Sequence, residues 1–165
     1  MNDHTNWLPP LVLLEDYGGN WESYCEALYA IFLDDFINSQ ATHGGVRVAI
    51  KRYPLEKGKE ATFWHLIQEG KIEEERIPDL RRCERIRWPR PMIDASAGDR
   101  LRHWRNSRRG EERVVIAVGD FTYIVVLAVR QGYVLLWTAY CVEKEHNRQK
   151  LRAEYDKYWK QQEKG

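Results

Sequence analysis

Residues 113–142 read RVVIAVGDFTYIVVLAVRQGYVLLWTAYCV, and the reading of this stretch decides the fold. It divides into three runs rich in β-branched and aromatic side chains, RVVIAVGD, FTYIVVLAVR and YVLLWTAYCV, joined by short turns. Such runs bounded by turn residues are strand signals, and strands joined by turns this short pair antiparallel with their chain neighbours, so an antiparallel meander is expected. A two-residue hairpin turn at Gln131 and Gly132 sets Tyr123 opposite Tyr140 and Val125 opposite Thr138. One face then carries Tyr123, Val125, Leu127, Val134, Leu136, Thr138 and Tyr140, and the other carries Ile124, Val126, Leu135, Trp137 and Ala139. Both faces are largely apolar, which places this hairpin in the centre of the sheet.

Thr138 and Tyr140 are the polar-tipped exceptions in the last run. Two residues apart, they share a face about 6.7 Å from each other at ~3.3–3.4 Å per residue, the scale of a phosphodiester with its flanking oxygens. Their hydroxyls can donate to a phosphate. Equally, both are ordinary strand formers, with Tyr140 packing its ring and wetting its hydroxyl at the sheet end.

Outward from the meander, the chain of 165 residues with 43% apolar content suits a single globular α+β domain. Upstream, apolar Tyr24, Leu28, Ile31, Phe32 and Phe36 recur at three- and four-residue steps behind a capping Asn20, predicting a helix over 21–38. Val46, Val48 and Ile50 alternate with Arg47 and Lys51 and predict a strand with one wet face, ending at Pro54. LEKGKEATFWHLIQEG fits a short helix closed by Gly70. IPDLRRCERIRWPRP reads as a short arginine-rich helix stopped by Pro89 and Pro91. DRLRHWRNSRRGEE reads as a turn or hairpin approach. At the C-terminus, Leu151, Tyr155, Tyr158 and Trp159 share one face of a helix over 143–162. The expected architecture is N-terminal helices packed on a central antiparallel meander, a core over 21–142, and a C-terminal helix.

Charge is nearly balanced, at +1, yet residues 81–113 hold eleven arginines, no lysine and five acidic side chains. Arg81 and Arg85 share a helical face at the four-residue spacing, where adjacent guanidiniums can clamp a phosphate. A solvated face paired with the acids of KIEEER is the other reading. Trp88, His103 and Trp104, lying between the arginines, can stack on bases or anchor a core. His65, in FWHL, has an imidazole able to exchange protons near neutral pH, although a histidine among aromatics commonly serves packing. The cysteines Cys25, Cys83 and Cys141 are odd in number and dispersed, and no signal-peptide pattern opens the chain, so a reducing cytoplasm is expected. The longest apolar run is interrupted by Arg130, Gln131 and Gly132, which argues against a membrane span. Cysteine and histidine lack zinc spacing, no glycine-rich phosphate loop occurs, and Asp120 is not followed by the Glu-x-Lys strand pattern of metal-dependent nucleases. No metal and no cofactor are therefore expected.

Taken together, a helical part bearing a histidine, an arginine-rich helix, a β-meander and a last core strand reading TAY resemble the barnase/EndoU/colicin/RelE superfamily of metal-independent ribonucleases, especially its phage-associated and toxin branches. The resemblance covers residues 60–142 best. It implies a sheet forming the active-site floor, helices carrying a catalytic histidine or basic residue, and a late-strand Thr or Tyr at the scissile phosphate. By type and order, His65, Arg82 or Arg85, Thr138 and Tyr140 match those roles. His65 would be the general base or acid, Arg82 and Arg85 the charge stabilisers, and Thr138 and Tyr140 the positioning donors. Arg81, Arg87, Arg105, Arg108 and Arg109 would contact the RNA, and an antitoxin or immunity protein would be a further partner. Two competing readings are a non-enzymatic module binding nucleic acid or an acidic protein, as in accessory proteins of mobile elements, and an interaction protein docking through its aromatic C-terminal helix.

Overall fold

A computed structural model describes residues 3–70, 72 and 75–164. The first helix, α1 (Trp21–Phe32), starts where the sequence places it: the Asn20 side chain accepts a hydrogen bond from the Ser23 amide at 2.9 Å. Tyr24, Leu28 and Phe32 lie one above another and are completely buried or nearly so. The buried Tyr24 hydroxyl donates to the Val12 carbonyl at 2.7 Å, so its polar tip costs little. A five-residue π-turn (Leu33–Ile37) extends the helix to Phe36. Two short strands follow, β1 (Thr42–His43) and β2 (Val46–Ala49), and then α2 (Ala61–Ile67).

Helix α2 is shorter than the sequence predicts at both ends. Glu56 and Lys59 close a tight turn ahead of it through reciprocal backbone hydrogen bonds. Behind it, β3 (Gln68–Glu69) pairs antiparallel with β4 (Ile77–Pro78). Gly70 has φ +134°, and a Cβ there would meet the Arg76 backbone at 3.3 Å, so this glycine lets the chain run close to Arg76. The arginine-rich segment forms α3 (Leu80–Glu84), capped by Asp79, but Pro89 does not end the helical region. It opens a second helix, α4 (Pro89–Asp94), because a proline in the first turn gives up no hydrogen bond.

The meander has four strands rather than three: β5 (Leu101–Arg108), β6 (Glu111–Val118), β7 (Tyr123–Val129) and β8 (Val134–Cys141). The stretch expected to be a turn approach is an eight-residue edge strand, paired along its full length with β6. The six-stranded sheet runs β1-β2-β8-β7-β6-β5, with β7 inside it and one parallel contact, Val48 to Val134 and Ala49 to Leu135. Helix α5 (Glu145–Lys164) closes the described chain. The fold is therefore α+β, with an antiparallel-dominated sheet between N-terminal helices and a C-terminal helix. No helix among the described residues is long and apolar enough to cross a membrane.

The expected hairpin register holds only beside the turn. Val129 pairs with Val134 and Leu127 with Leu136, but Val126 then pairs with Thr138 and Ile124 with Tyr140. Trp137 is the extra residue of a β-bulge, and beyond it every side chain of β8 changes face. Ala139, not Thr138 or Tyr140, joins Tyr123, Val125, Leu127 and Leu136 on the face covered by α1, α2, α3 and α4. Tyr140 and Trp137 turn to the opposite face, with Ile124, Val126 and Trp104, where Leu151, Tyr155 and Tyr158 of α5 pack. Thr138 and Tyr140 thus share a face as expected, on the side opposite to the one their hairpin partners implied.

Candidate anion-binding cleft

Strand β2 reaches only as far as Leu135, so the second half of β8 has an open edge. Helices α2 and α3 lie along it and supply its polar groups. The start of α2 is tied to the chain after β2: the Lys51 amide donates to the Thr62 hydroxyl at 2.7 Å, and the Thr62 amide returns a bond to the Lys51 carbonyl at 3.0 Å. His65 sits in the last turn of α2, 7% exposed, with its ring edge-on to Trp137 at 5.7 Å.

Arg82 joins the elements. Its Nη1 donates to the His65 carbonyl at 3.2 Å and to the Thr138 hydroxyl at 3.0 Å. Its Nε is buried without a hydrogen bond, the Asp79 carboxylate being the counter-charge at 3.5 Å. The guanidinium also lies over the Tyr140 ring at 5.2 Å, a cation–π contact. Arg76 is fixed from the other side, donating to the Gln68 carbonyl at 2.8 Å and the Gly70 carbonyl at 3.2 Å. Lys51, His65, Arg76, Arg82, Trp137 and Thr138 thereby line one hollow of about 330 Å³, with Gly70 at its rim. Three cationic side chains face it, and among the described residues no carboxylate lines it. In such a pocket a phosphate would replace water at several donors at once, and charge-assisted hydrogen bonds are about twice as strong as neutral ones.

Of the residues the sequence proposes for catalysis, His65, Arg82 and Thr138 meet here. Tyr140 lies just beyond Arg82, in a neighbouring hollow of about 520 Å³ where Asp79, Glu69 and Glu154 balance Arg82, Arg108 and Lys150. Arg85 is elsewhere: it stacks on Trp88 at 5.1 Å and donates to the Arg81 carbonyl, and it shares a separate hollow with Arg81. Arg81 is ion-paired with Glu143. Arg87 lines a hollow on the α4 side together with Asp34, Asp35 and Asp94. Arg105 pairs with Glu112 at 2.7 Å and Arg108 with Glu154 at 2.8 Å, while Arg109 occupies the β5–β6 turn with φ 53°.

Lys51, Arg76 and Trp137 are the cleft residues that sequence reading misses. Lys51 reads as the wet face of a strand, Arg76 only closes the acidic run KIEEER, and Trp137 reads as one member of an alternating run. The signal that unites them is tertiary.

A second polar cluster lies where the two edge strands, β1 and β5, approach each other. His43 Nδ1 is 2.8 Å from the buried Ser96 hydroxyl, the His103 ring is 6.1 Å from His43, and Trp159 donates to the His103 carbonyl at 2.7 Å. Burial holds both imidazoles below the ordinary histidine value, with His103 and Arg105 adding to the effect at His43. The three cysteines are free, and burial pushes their thiols up, Cys83 to about 12, so none is poised as a thiolate nucleophile. Among the described residues no group of three or more His, Cys, Asp or Glu side chains is placed to hold a metal ion. No protein-family model matches the chain, and no curated protein or solved structure matches it.

Proposed function

We propose that the protein is an endoribonuclease that cleaves RNA by internal transphosphorylation, with the Lys51–His65–Arg76–Arg82–Thr138 cleft as its site. The observation that carries this reading is the convergence of an imidazole, a hydroxyl and three cations at the open edge of β8. RNA brings its own nucleophile. The 2′-oxygen loses its proton and bonds to phosphorus, the bond to the 5′-oxygen breaks, and the leaving oxygen takes up a proton, giving a 2′,3′-cyclic phosphate and a free 5′-hydroxyl. His65 carries one of those proton transfers. Lys51, Arg76 and Arg82 stabilise the charge that builds on the phosphoryl oxygens, and Thr138, oriented by Arg82, donates to one of them. Charge stabilisation comes from guanidinium and ammonium groups where other nucleases use a divalent ion.

The competing reading, a module that binds RNA without cutting it, draws on one feature: His65 is 7% exposed, and its carbonyl and Thr138 are both tied to Arg82. Incubation of the purified chain with a mixed RNA pool in excess chelator separates the two. Cleavage giving cyclic-phosphate ends, with an oligonucleotide bearing 2′-deoxyribose at the cleaved position left intact, supports the enzyme. Loss of cleavage on chelation, or cutting of the deoxy substrate, refutes the mechanism. RNA binding without cleavage leaves the binding module.

A further inference from the structure

Beside the cleft, and sharing Lys51 and Trp137 with it, is a second hollow of about 570 Å³ lined also by Arg47, Arg130, Tyr133 and Leu135. The two hollows follow each other along β8. We propose that the second one takes the nucleotides flanking the scissile phosphate in single-stranded RNA, with bases against Tyr133 and Trp137 and backbone phosphates against Arg47 and Arg130; this rests on the cleft being the RNA site.

The argument starts from register. Parallel pairing of Val48 with Val134 and Ala49 with Leu135 sets Arg47 next to Tyr133, where its guanidinium lies over the phenol ring at 5.1 Å. Arg130, at the hairpin end, is held by Glu111 at 3.2 Å and approaches the same hollow. Tyr133 and Trp137 are four strand positions apart, about 13 Å at ~3.3 Å per residue. The bulge widens the use of this edge: by admitting Trp137 as an extra residue, it lets an aromatic face and the adjacent Thr138 hydroxyl line one cleft. A cationic path interleaved with aromatic faces is the arrangement that binds single strands, since every base has a face to stack and the backbone charge is uniform. A duplex keeps its base faces inside the helix and cannot use the two rings. An acidic polypeptide would use the cations and leave the rings idle.

The test is fluorescence anisotropy with a labelled 2′-O-methyl RNA decamer, which cannot be cleaved because its attacking oxygen is blocked, alongside cleavage of an unmodified dinucleotide that fills the cleft alone. Tyr133→Ala is expected to weaken decamer binding about tenfold and Tyr133→Phe to leave it unchanged. Arg47→Ala with Arg130→Ala is expected to lower the salt slope of decamer binding by about 1.4, two single-strand phosphates at ~0.7 each. Both sets should cut the dinucleotide at the parent rate, and their melting temperatures serve as the check on folding. Unchanged decamer affinity in the alanine variants overturns the inference, as does an equal loss on a duplex of the same sequence, or polyglutamate competing as well as the single strand. A parent chain that binds the decamer with this pattern yet cuts no dinucleotide refutes the ribonuclease reading and leaves the single-strand path standing. A parent that does not bind the decamer overturns both.

Discussion

The arginine-rich segment and the cleft are both positively charged, and they differ in what stands beside the charge. Between residues 81 and 113, Arg81, Arg85, Arg90, Arg105, Arg108 and Arg113 each lie within ion-pair distance of a carboxylate, drawn from Glu143, Glu84, Asp94, Glu112, Glu154 and Glu111. In the cleft, Lys51, Arg76 and Arg82 come from three separate parts of the chain and face a common space that no carboxylate lines among the described residues, although Arg82 keeps Asp79 at 3.5 Å on its other side. Charge counted along a sequence window measures chain neighbours. The potential a ligand meets depends on neighbours in space.

The largest expected effect sharpens that contrast. His65→Ala should lower RNA cleavage by about 10²–10⁴-fold with binding nearly intact, the usual worth of acid–base assistance, whereas Arg105→Ala should leave the rate within about twofold. Equal losses in single-turnover assays would break the comparison.

Glu154 gives the next largest effect. Its carboxylate accepts from Trp104 Nε1 and Asn106 Nδ2 at 2.7 Å and from Arg108 at 2.8 Å, bonding α5 to β5. Glu154→Ala strands the indole N–H of the buried Trp104, and chemical denaturation should report a loss of roughly 1–3 kcal/mol. The same variant releases Arg108 from its partner. If pairing is what silences these arginines, its RNA affinity at low salt should rise; a fall would place Arg108 outside any RNA path.

Acid should act where the edge strands β1 and β5 meet. His43 and His103 titrate below their ordinary value of 6.5 in the fold, so the unfolded chain binds more protons there, and stability is lost as pH falls from that value through the folded ones. Glu154 continues the trend below 4.5: burial pushes its carboxyl up, but the hydrogen bonds from Trp104, Asn106 and Arg108 outweigh it and hold it low. Asp35 opposes them, since burial raises it to about 6 and its contribution is lost as pH rises from 3.8 to that value. Thermal melts should therefore fall as pH drops below about 6.5, and His43→Asn with His103→Gln should flatten that limb. An unchanged limb in the double variant would remove the histidine pair from the account. The smallest effect is on the stability of the exposed Arg105–Glu112 pair, where Arg105→Ala should cost no more than ~0.5 kcal/mol by denaturant titration.

What the sequence reveals follows the same division between near and far. The meander, the Asn20-capped helix and the apolar face of α5 are written in periodicities of two and three to four residues, and they appear where those patterns lie. Strand β5 is hidden because LRHWRNSR carries its apolar Leu101 and Trp104 three apart among arginines, as suits an edge strand that must resist pairing with other chains. His65, Arg82 and Thr138 are legible by residue type, and their meeting is not. Lys51 and Arg76 depend on where β2 ends and how close Gly70 lets the chain run to Arg76, neither of which any local pattern records.

The bulge at Trp137 makes the site a matter of parity. Pairing the two strands without it, Thr138 against Val125 and Tyr140 against Tyr123, would rotate Thr138 and Tyr140 into the positions where Ala139 and Cys141 now meet the helical core. Every cleft residue would still be present in the chain, yet in that register the hydroxyl and the phenol would point into the packed interior and Arg82 would lose both partners on β8. Deleting Trp137 itself would close the ladder with Thr138 still opposite Val126, so the placement of the site rests on the register of β8 and not on how many residues the strand holds.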